Sequence, residues 1–130
     1  MAFRKRKKKI LVADDDTDFT SVVRAILDHA GFAIDTVSNG EEALKAIKKQ
    51  KYDLLILDVV MPKIDGIKLF RMARKSKRYS QIPVLFISGH SSRERLMEQH
   101  KEEIDKAAAY MEKPIKTKVF IEKIQTLLEG

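Results

Sequence analysis

Residues 52–62 read Tyr-Asp-Leu-Leu-Ile-Leu-Asp-Val-Val-Met-Pro, and they give the clearest indication of the fold. Its large apolar residues, Leu54–Leu57, form an unbroken run that ends on the carboxylate of Asp58. An apolar run of this length, bounded by turn-forming residues, is typical of a central parallel strand whose two faces are both covered. Ligands of open α/β sheets bind beyond the carboxyl ends of such strands. We therefore expect Asp58 to lie at a binding site.

Four further apolar runs predict strands on either side of this one, at Lys9–Ala13, Phe32–Val37, Ile82–Ile87 and Ala107–Met111. The segments between and after them repeat apolar residues at helical intervals. They predict helices that begin at Thr17, near Asn39, at Asp65–Gly66, at Arg93 (to about Lys106) and near Thr117. Five alternating strands and helices indicate a doubly wound α/β domain with one parallel sheet and right-handed crossovers.

The positive charge of the chain is concentrated at its start. Arg4–Lys9 supplies six of the 26 basic residues, and the remaining 20 nearly balance the 19 acidic ones. We expect residues 1–8 to form a basic N-terminal tail and residues 9–130 to form a single domain. A basic tail can attract a phosphate backbone, an anionic membrane surface or an acidic partner.

The composition excludes several classes of site. The chain contains no cysteine, which rules out disulfides, thiolate catalysis and cysteine-ligated metals. It has no apolar run near the roughly 20 residues that a membrane span needs. The basic start is followed by too short an apolar stretch to be a signal peptide. We therefore expect a soluble cytoplasmic protein.

Polar residues follow the predicted strands at the edge where ligands bind. They are Asp14 and Asp15 after the first strand, Asp58 after the third, Ser88 after the fourth and Lys113 after the fifth. Clustered carboxylates repel one another unless a cation joins them, and oxygen ligands suit Mg²⁺. A nearby ammonium group suits a phosphoryl group. The sequence therefore predicts a site for Mg²⁺ and a phosphorylated group.

These residues give the chain a family resemblance. From about Lys9 to Leu128 it resembles the receiver domain of two-component response regulators, of the single-domain chemotaxis or sporulation-regulator type. The resemblance implies a flavodoxin-like (βα)5 fold with strand order 2-1-3-4-5. It is carried by the acidic pair Asp14–Asp15, by Asp58 with Met61–Pro62 and Asp65–Gly66, by Ser88–Gly89 and by Lys113–Pro114.

The resemblance also implies a role for each site residue. Asp58 would accept a phosphoryl group from a histidine kinase, a phosphohistidine relay protein or a small donor such as acetyl phosphate. Asp15, Asp58 and the backbone carbonyl of Val60 would bind Mg²⁺ directly, and Asp14 would bind it through a water. Lys113 would pair with Asp58 at rest and with the phosphoryl oxygens afterwards, and the bond before Pro114 would be cis. The domain would catalyse only its own phosphorylation and slow autodephosphorylation, so it would not be a classical enzyme.

A switch is implied by the same resemblance. Ser88 would move toward the phosphoryl group and Tyr110 would fill the vacated space, which would reshape the face formed by the fourth helix, fifth strand and fifth helix for a downstream protein target. Val60 and His90 flank the site and would tune hydrolysis of the phosphoryl group. Asp16 is interpreted instead as the N-terminal cap of the first helix.

The sequence is also compatible with other functions. The chain could be a stand-alone receiver or a module of a larger DNA-binding regulator or hybrid kinase. A metal-dependent phosphatase on a similar sheet would place its aspartates differently and carry a cap insertion. A nucleic-acid binder acting through Arg4–Lys9 would lose affinity steeply as salt increases.

Overall fold

The computed structural model describes residues 6–89, 98–107 and 109–130. Five strands occur in these residues: β1 (Lys9–Ala13), β2 (Ala33–Val37), β3 (Leu54–Asp58), β4 (Val84–Ser88) and β5 (Ala109–Glu112). They form one sheet in the order β2-β1-β3-β4-β5, and every neighbouring pair is parallel. The predicted sheet and strand order are confirmed.

Helices alternate with the strands along the chain. They are α1 (Thr17–His29), α2 (Gly40–Lys49), α3 (Gly66–Lys75), α4 (Lys101–Lys106) and α5 (Thr117–Glu129). The fourth helix was expected from Arg93, but residues 93–97 lie outside the described residues. His100, with φ −130° and ψ 26°, breaks helical geometry before α4. Within the described part of the chain, no helix is both long and apolar enough to cross a membrane.

The central strand β3 is covered on both faces, which explains its unbroken apolar sequence. All five of its residues are buried. Leu55 and Leu57 pack into the apolar cluster that also contains residues of α2 and α3. Leu54 and Ile56 pack into the opposite cluster, with residues of α1 and α5. Each such side chain stabilises the fold by about 1.5–3 kcal/mol when it leaves water.

The helices α1, α2 and α3 begin near the carboxyl ends of the strands, and each starts on a capping side chain. The capping oxygens accept hydrogen bonds from backbone N–H groups three residues later: Asp16 from Phe19 at 3.1 Å, Asn39 from Glu42 at 2.8 Å and Asp65 from Lys68 at 2.8 Å. Such caps satisfy donors that the helix itself leaves free. Asp16 therefore has the predicted capping role.

Two glycines allow α2 and α3 to approach the loop after β3 very closely. A Cβ atom on Gly66, the first residue of α3, would lie 2.1 Å from the backbone oxygen of Asp58. A Cβ on Gly40, the first residue of α2, would lie 1.8 Å from the backbone oxygen of Ile64. Both distances are far below van der Waals contact, so glycine is required at the starts of these helices.

The opposite end of the sheet, where the strands begin, is here called the amino-end pole. Arg6 pairs with Asp53 at 3.3 Å, and the backbone N–H of Lys9 donates to the Asp53 carboxylate at 2.8 Å. The Tyr52 hydroxyl donates to Asp35 at 2.7 Å. Burial and the Asp35 carboxylate raise the pKa of Tyr52 above its ordinary value. These contacts join β2 and the start of β1 to the loop before β3.

We expect Gly66→Ala to lower the free energy of unfolding by about 1–3 kcal/mol, because the new methyl group meets the rigid backbone at Asp58. Gly89→Ala is the matched control, since a Cβ on Gly89 would have no atom within 4 Å. Urea unfolding followed by circular dichroism gives both values. Equal destabilisation by the two substitutions would contradict the close approach at Gly66.

Candidate functional site

Three neighbouring strands present polar side chains at one edge of the sheet. Asp58 is the last residue of β3, Ser88 is the last residue of β4, and Asp14 follows β1 directly. Ala13 pairs with Leu57 in the sheet register, which brings Asp14 beside Asp58. Asp14, Asp58 and Ser88 are 2%, 7% and 1% exposed, so this edge buries groups that normally stay in water.

The carboxylates of Asp14, Asp15 and Asp58 converge. Each offers an oxygen within 4.8 Å of the others, and only Asp15 is exposed among the three. Backbone N–H groups hold the two buried members: Asp16 donates to Asp14 Oδ1 at 2.9 Å and Val60 donates to Asp58 Oδ1 at 3.2 Å. Oxygen-only donors of this kind fit a hard divalent cation such as Mg²⁺.

The protonation of Asp58 reflects this crowding. Burial, followed by the negative charge of Asp14, raises the pKa of Asp58 to about 7. The ammonium group of Lys113 and the Val60 N–H act in the opposite direction, and they do not cancel the first two effects. The metal-free site therefore keeps a proton on Asp58 at pH values where an ordinary aspartate has lost it.

Lys113 supplies the positive charge that faces the acidic cluster. Its ammonium nitrogen lies 2.7 Å from Asp14 Oδ2, 3.9 Å from Asp16 Oδ2 and 4.0 Å from Asp58 Oδ2. The expected pairing with Asp58 is present, but Asp14 is the nearer partner. Asp14 is the most buried carboxylate among the described residues, and apart from this ion pair none of them donates a hydrogen bond to its Oδ2. The charge of Asp14 therefore has the largest desolvation cost, and the Lys113 ammonium offsets it.

Phe19, in the first turn of α1, is a neighbour of Lys113 that the sequence did not single out as a site residue. The Lys113 ammonium lies 4.3 Å from the centroid of the Phe19 ring. Such cation–π contacts stabilise by about 0.5–1 kcal/mol at exposed sites. The available signal was the position of Phe19 in the first turn of the helix that follows the acidic pair. The bond between Lys113 and Pro114 is cis, as expected.

Ser88 and Tyr110, the two residues of the predicted switch, are in contact. The Ser88 Oγ lies 2.6 Å from the Tyr110 hydroxyl oxygen, a hydrogen bond between β4 and β5. Tyr110 is half-buried and packs against the apolar cluster that contains Phe86. The hydroxyl of Ser88 thus already has a protein partner in this structure.

Val60 and His90 are the two residues expected to flank the site. Val60 is 56% exposed, unusual for a large apolar side chain, and it follows Asp58 by two positions at the mouth of the site. His90 lies outside the described residues.

A comparison with protein families decides the identity of this arrangement. The profile of the response regulator receiver domain matches residues 10–125, nearly the whole chain. The chain belongs to this family. Receiver domains are signalling modules of two-component systems rather than classical enzymes.

Named relatives agree with the receiver fold. The transcriptional regulatory protein PhoP of Bacillus subtilis, which controls alkaline phosphatase synthesis, is 33% identical over 128 residues, which cover 93% of this chain and 48% of that protein. The chain spans about half the length of the curated relatives it matches. The chemotaxis response regulator CheY4 of Vibrio cholerae superposes with a TM-score of 0.83 at 27% identity, covering 94% of this receiver and 99% of CheY4.

A third protein shares the fold at lower identity. It is the receiver domain of a sensor histidine kinase from Pseudomonas aeruginosa, with a TM-score of 0.83, 21% identity and coverage of 96% and 100%. That structure has a magnesium ion coordinated in its active-site cleft.

We expect Asp58→Asn to stabilise the metal-free receiver, because it removes a buried negative charge. Below about pH 4 Asp58 is protonated in the folded and the unfolded state, so it does not lower stability there. Between about pH 4 and pH 7 only the unfolded state loses the proton, so the stability penalty grows with pH, and above about pH 7 it is constant. The gain in unfolding free energy should therefore be small near pH 4 and about 1–3 kcal/mol near pH 8. Urea unfolding in EDTA at both pH values measures it.

Asp15→Asn serves as the control, since it removes an exposed carboxylate from the same cluster and should change stability less. A loss of stability in Asp58→Asn near pH 8, or a gain that does not depend on pH, would contradict the assigned environment of Asp58.

Proposed function

We propose that this receiver domain works in the cytoplasm and accepts a phosphoryl group on Asp58 from the phosphohistidine of a histidine kinase or relay protein. The reaction depends on Mg²⁺, and the phosphorylated domain acts on a downstream protein. The observation that carries the proposal is the buried Asp58 carboxylate, which has an oxygen within 4.8 Å of oxygens of Asp14 and Asp15 and is faced by the Lys113 ammonium.

The transfer is a single displacement at phosphorus. A carboxylate oxygen of Asp58 forms a bond to the phosphorus atom as the bond between phosphorus and the donor imidazole nitrogen breaks, and the electron pair leaves with that nitrogen. Asp58 must be ionised to attack. Lys113, 4.0 Å from Asp58 Oδ2, lies near enough to pair with the negative charge of the arriving group.

The acidic cluster would hold the metal. Asp15, Asp58 and the backbone carbonyl of Val60 would be direct ligands. Asp14 would act through a water, because its two oxygens already face a backbone N–H and the Lys113 ammonium. When bound, Mg²⁺ shields the repulsion between the carboxylate and the phosphoryl group. The magnesium ion in the active-site cleft of the P. aeruginosa receiver domain supports Mg²⁺ as the cation of the proposed site.

The hydrogen bond between Ser88 and Tyr110 would be the switch. A phosphoryl group on Asp58 adds strong acceptor oxygens, and the Ser88 hydroxyl would turn to donate to them. Tyr110 would then lose the hydrogen bond to Ser88, whose oxygen lies 2.6 Å away, and would repack. This repacking would shift the balance between two conformations of the face formed by α4, β5 and α5. Val60 and His90 would tune how fast water removes the phosphoryl group.

A second possibility is that the domain works as a module of a longer regulator. The chain spans about half of PhoP, a transcriptional regulatory protein, so the output could lie in an attached domain instead of a separate partner. Nucleic-acid binding through Arg4–Lys9 has less support, because two basic residues in the described part of this segment already form ion pairs within the domain. Arg6 pairs with Asp53, and Lys9 pairs with Asp35.

Intact-mass spectrometry after incubation with acetyl phosphate and Mg²⁺ tests the proposed acceptor. We expect one phosphoryl group on the wild-type chain and none on Asp58→Asn or in the presence of EDTA. Asp28→Asn, which changes an exposed carboxylate at the far end of α1, should be labelled like the wild type. Labelling that survives in Asp58→Asn would contradict the assignment of Asp58.

Tyr110→Ala tests the switch separately from the chemistry. We expect it to be phosphorylated as the wild type is, because Tyr110 contacts Ser88 and not the carboxylates. Addition of beryllofluoride and Mg²⁺ should shift the NMR signals of β5 and α5 amides less than in the wild type. Tyr110→Phe, which keeps the ring, separates loss of the hydroxyl from loss of packing. Wild-type shifts in Tyr110→Ala would contradict a role for this residue in switching.

A further inference from the structure

A groove lies at the amino-end pole, at the opposite end of the sheet from Asp58. It runs between the C-terminal halves of α2 and α3 and the turn after α3, and its volume is about 470 Å³. Its residues include the apolar Leu44, Ile47 and Met72 and the basic Lys48, Lys77 and Arg78. The receiver chemistry described above uses none of them.

The floor of this groove is apolar and reachable. Leu44 and Ile47 lie three positions apart on α2 and so share one helix face. Leu44 and Met72 are half-buried, whereas Ile47 and Tyr79 beneath them are buried. A volume of this size accommodates a few apolar side chains of a partner.

The rim of the groove carries unneutralised positive charge. Lys48, Lys77 and Arg78 are exposed, and none of them forms an ion pair with any residue in 6–89, 98–107 or 109–130. No acidic residue stands among the described residues that line the groove. Lys48 complements the negative end of the α2 dipole, but Lys77 and Arg78 lie in the turn beyond α3, outside its last helical turn.

In a second groove, between α3 and α4, basic side chains form ion pairs with acidic ones. This groove is lined by basic residues of α3 and by Glu102, Glu103 and Lys106. There Arg71 pairs with Glu103, and Lys106 pairs with Glu102 at 3.1 Å. The described residues that line the first groove include no acid, so its cations are available to a partner.

We propose that the groove between α2 and α3 docks a short amphipathic helix of a partner protein. Leucine-like side chains of that helix would lie on the floor formed by Leu44, Ile47 and Met72, and its aspartates and glutamates would face Lys48, Lys77 and Arg78. This is recognition of a helix in a groove, with apolar anchors on one helix face and charge complementarity at the rim.

Two other polyanionic surfaces fit less well. A phosphate backbone would use the cations but not the apolar floor, and the nearby Tyr79 is buried and unavailable for stacking on bases. A membrane surface would need protruding apolar side chains. The exposed large hydrophobic residues of the described chain are Val22, Val60 and Val119, and they lie on α1, at the mouth of the acidic site and on α5.

The test uses two fluorescein-labelled helical peptides of identical glutamate and leucine composition. One places its leucines on a single helix face, and the other distributes them around the helix. Anisotropy titration with the full chain should show binding of the first peptide at least about tenfold tighter than of the second. Equal affinities, or no binding of the first peptide, would overturn the proposal.

Charge reversal locates the binding. The double variant Lys77→Glu with Arg78→Glu should weaken binding of the amphipathic peptide by about tenfold or more. Lys118→Glu with Lys123→Glu makes the same change in net charge on exposed positions of α5 and should alter affinity by less than about threefold. Leu44→Ser should weaken binding without any change in charge. Equal effects of the two double variants would overturn the proposal.

Competitors identify the occupant. Duplex DNA or phosphatidylglycerol vesicles that bind more tightly than the peptide, with the same sensitivity to Lys77→Glu and Arg78→Glu, would overturn the choice of a protein helix. Sedimentation of the chain alone gives the remaining outcome. Self-association that is abolished by the same double variant would replace the partner helix with the acidic end of a second copy.

Discussion

Two buried carboxylates, Asp14 and Asp58, share one ammonium group, that of Lys113, among the residues that the structure describes. The other properties of the site depend on this excess of negative charge. Lys113 lies 2.7 Å from Asp14 and 4.0 Å from Asp58, so one negative charge is closely balanced and the other is not. Buried charges are costly without a partner, which is why the pKa of Asp58 rises. The fold holds in place a carboxylate that gains from the arrival of a cation. A buried acidic cluster of this kind suits a hard divalent cation, and the proposed Mg²⁺ and phosphoryl chemistry rests on it.

The surrounding framework prevents the site from relaxing. β3 is buried on both faces, so Asp58 cannot move outward without withdrawing apolar side chains from two clusters. Gly66 lets α3 begin against the backbone oxygen of Asp58, and Asp65 caps that helix. The loop after β3 is thereby fixed at both ends. Large apolar burial thus offsets a local electrostatic cost, and the position of the carboxylate is set by the sheet rather than by its own contacts.

The parts of this architecture that follow from local pattern could be predicted. The apolar run that ends at Asp58 fixes a strand with two covered faces, and Asp16 before an apolar helical repeat fixes a cap. Contacts between elements could not be predicted, because no local pattern encodes them. Lys113 lies nearer to Asp14 because of the relative burial of the two carboxylates. Phe19 contacts the ammonium group because α1 packs beside the residue that follows β5. The fourth helix was predicted as continuous from Arg93 to about Lys106, but His100 leaves helical geometry. Likewise, the three cations that surround the apolar groove, and that form no ion pair with a described residue, become neighbours only when α2 and α3 pack side by side.

The central claim is that Asp58 is the carboxylate on which cation and phosphoryl chemistry converge. Titration of the ¹⁵N-labelled chain with beryllofluoride and Mg²⁺, followed by NMR, tests it most directly, because this phosphoryl mimic binds without a donor protein. We expect saturable shifts of the backbone amides of Val59, Ser88 and Lys113 in the wild type, and their loss in Asp58→Asn. Absence of these shifts in the wild type, or the same shifts in Asp58→Asn, would contradict it.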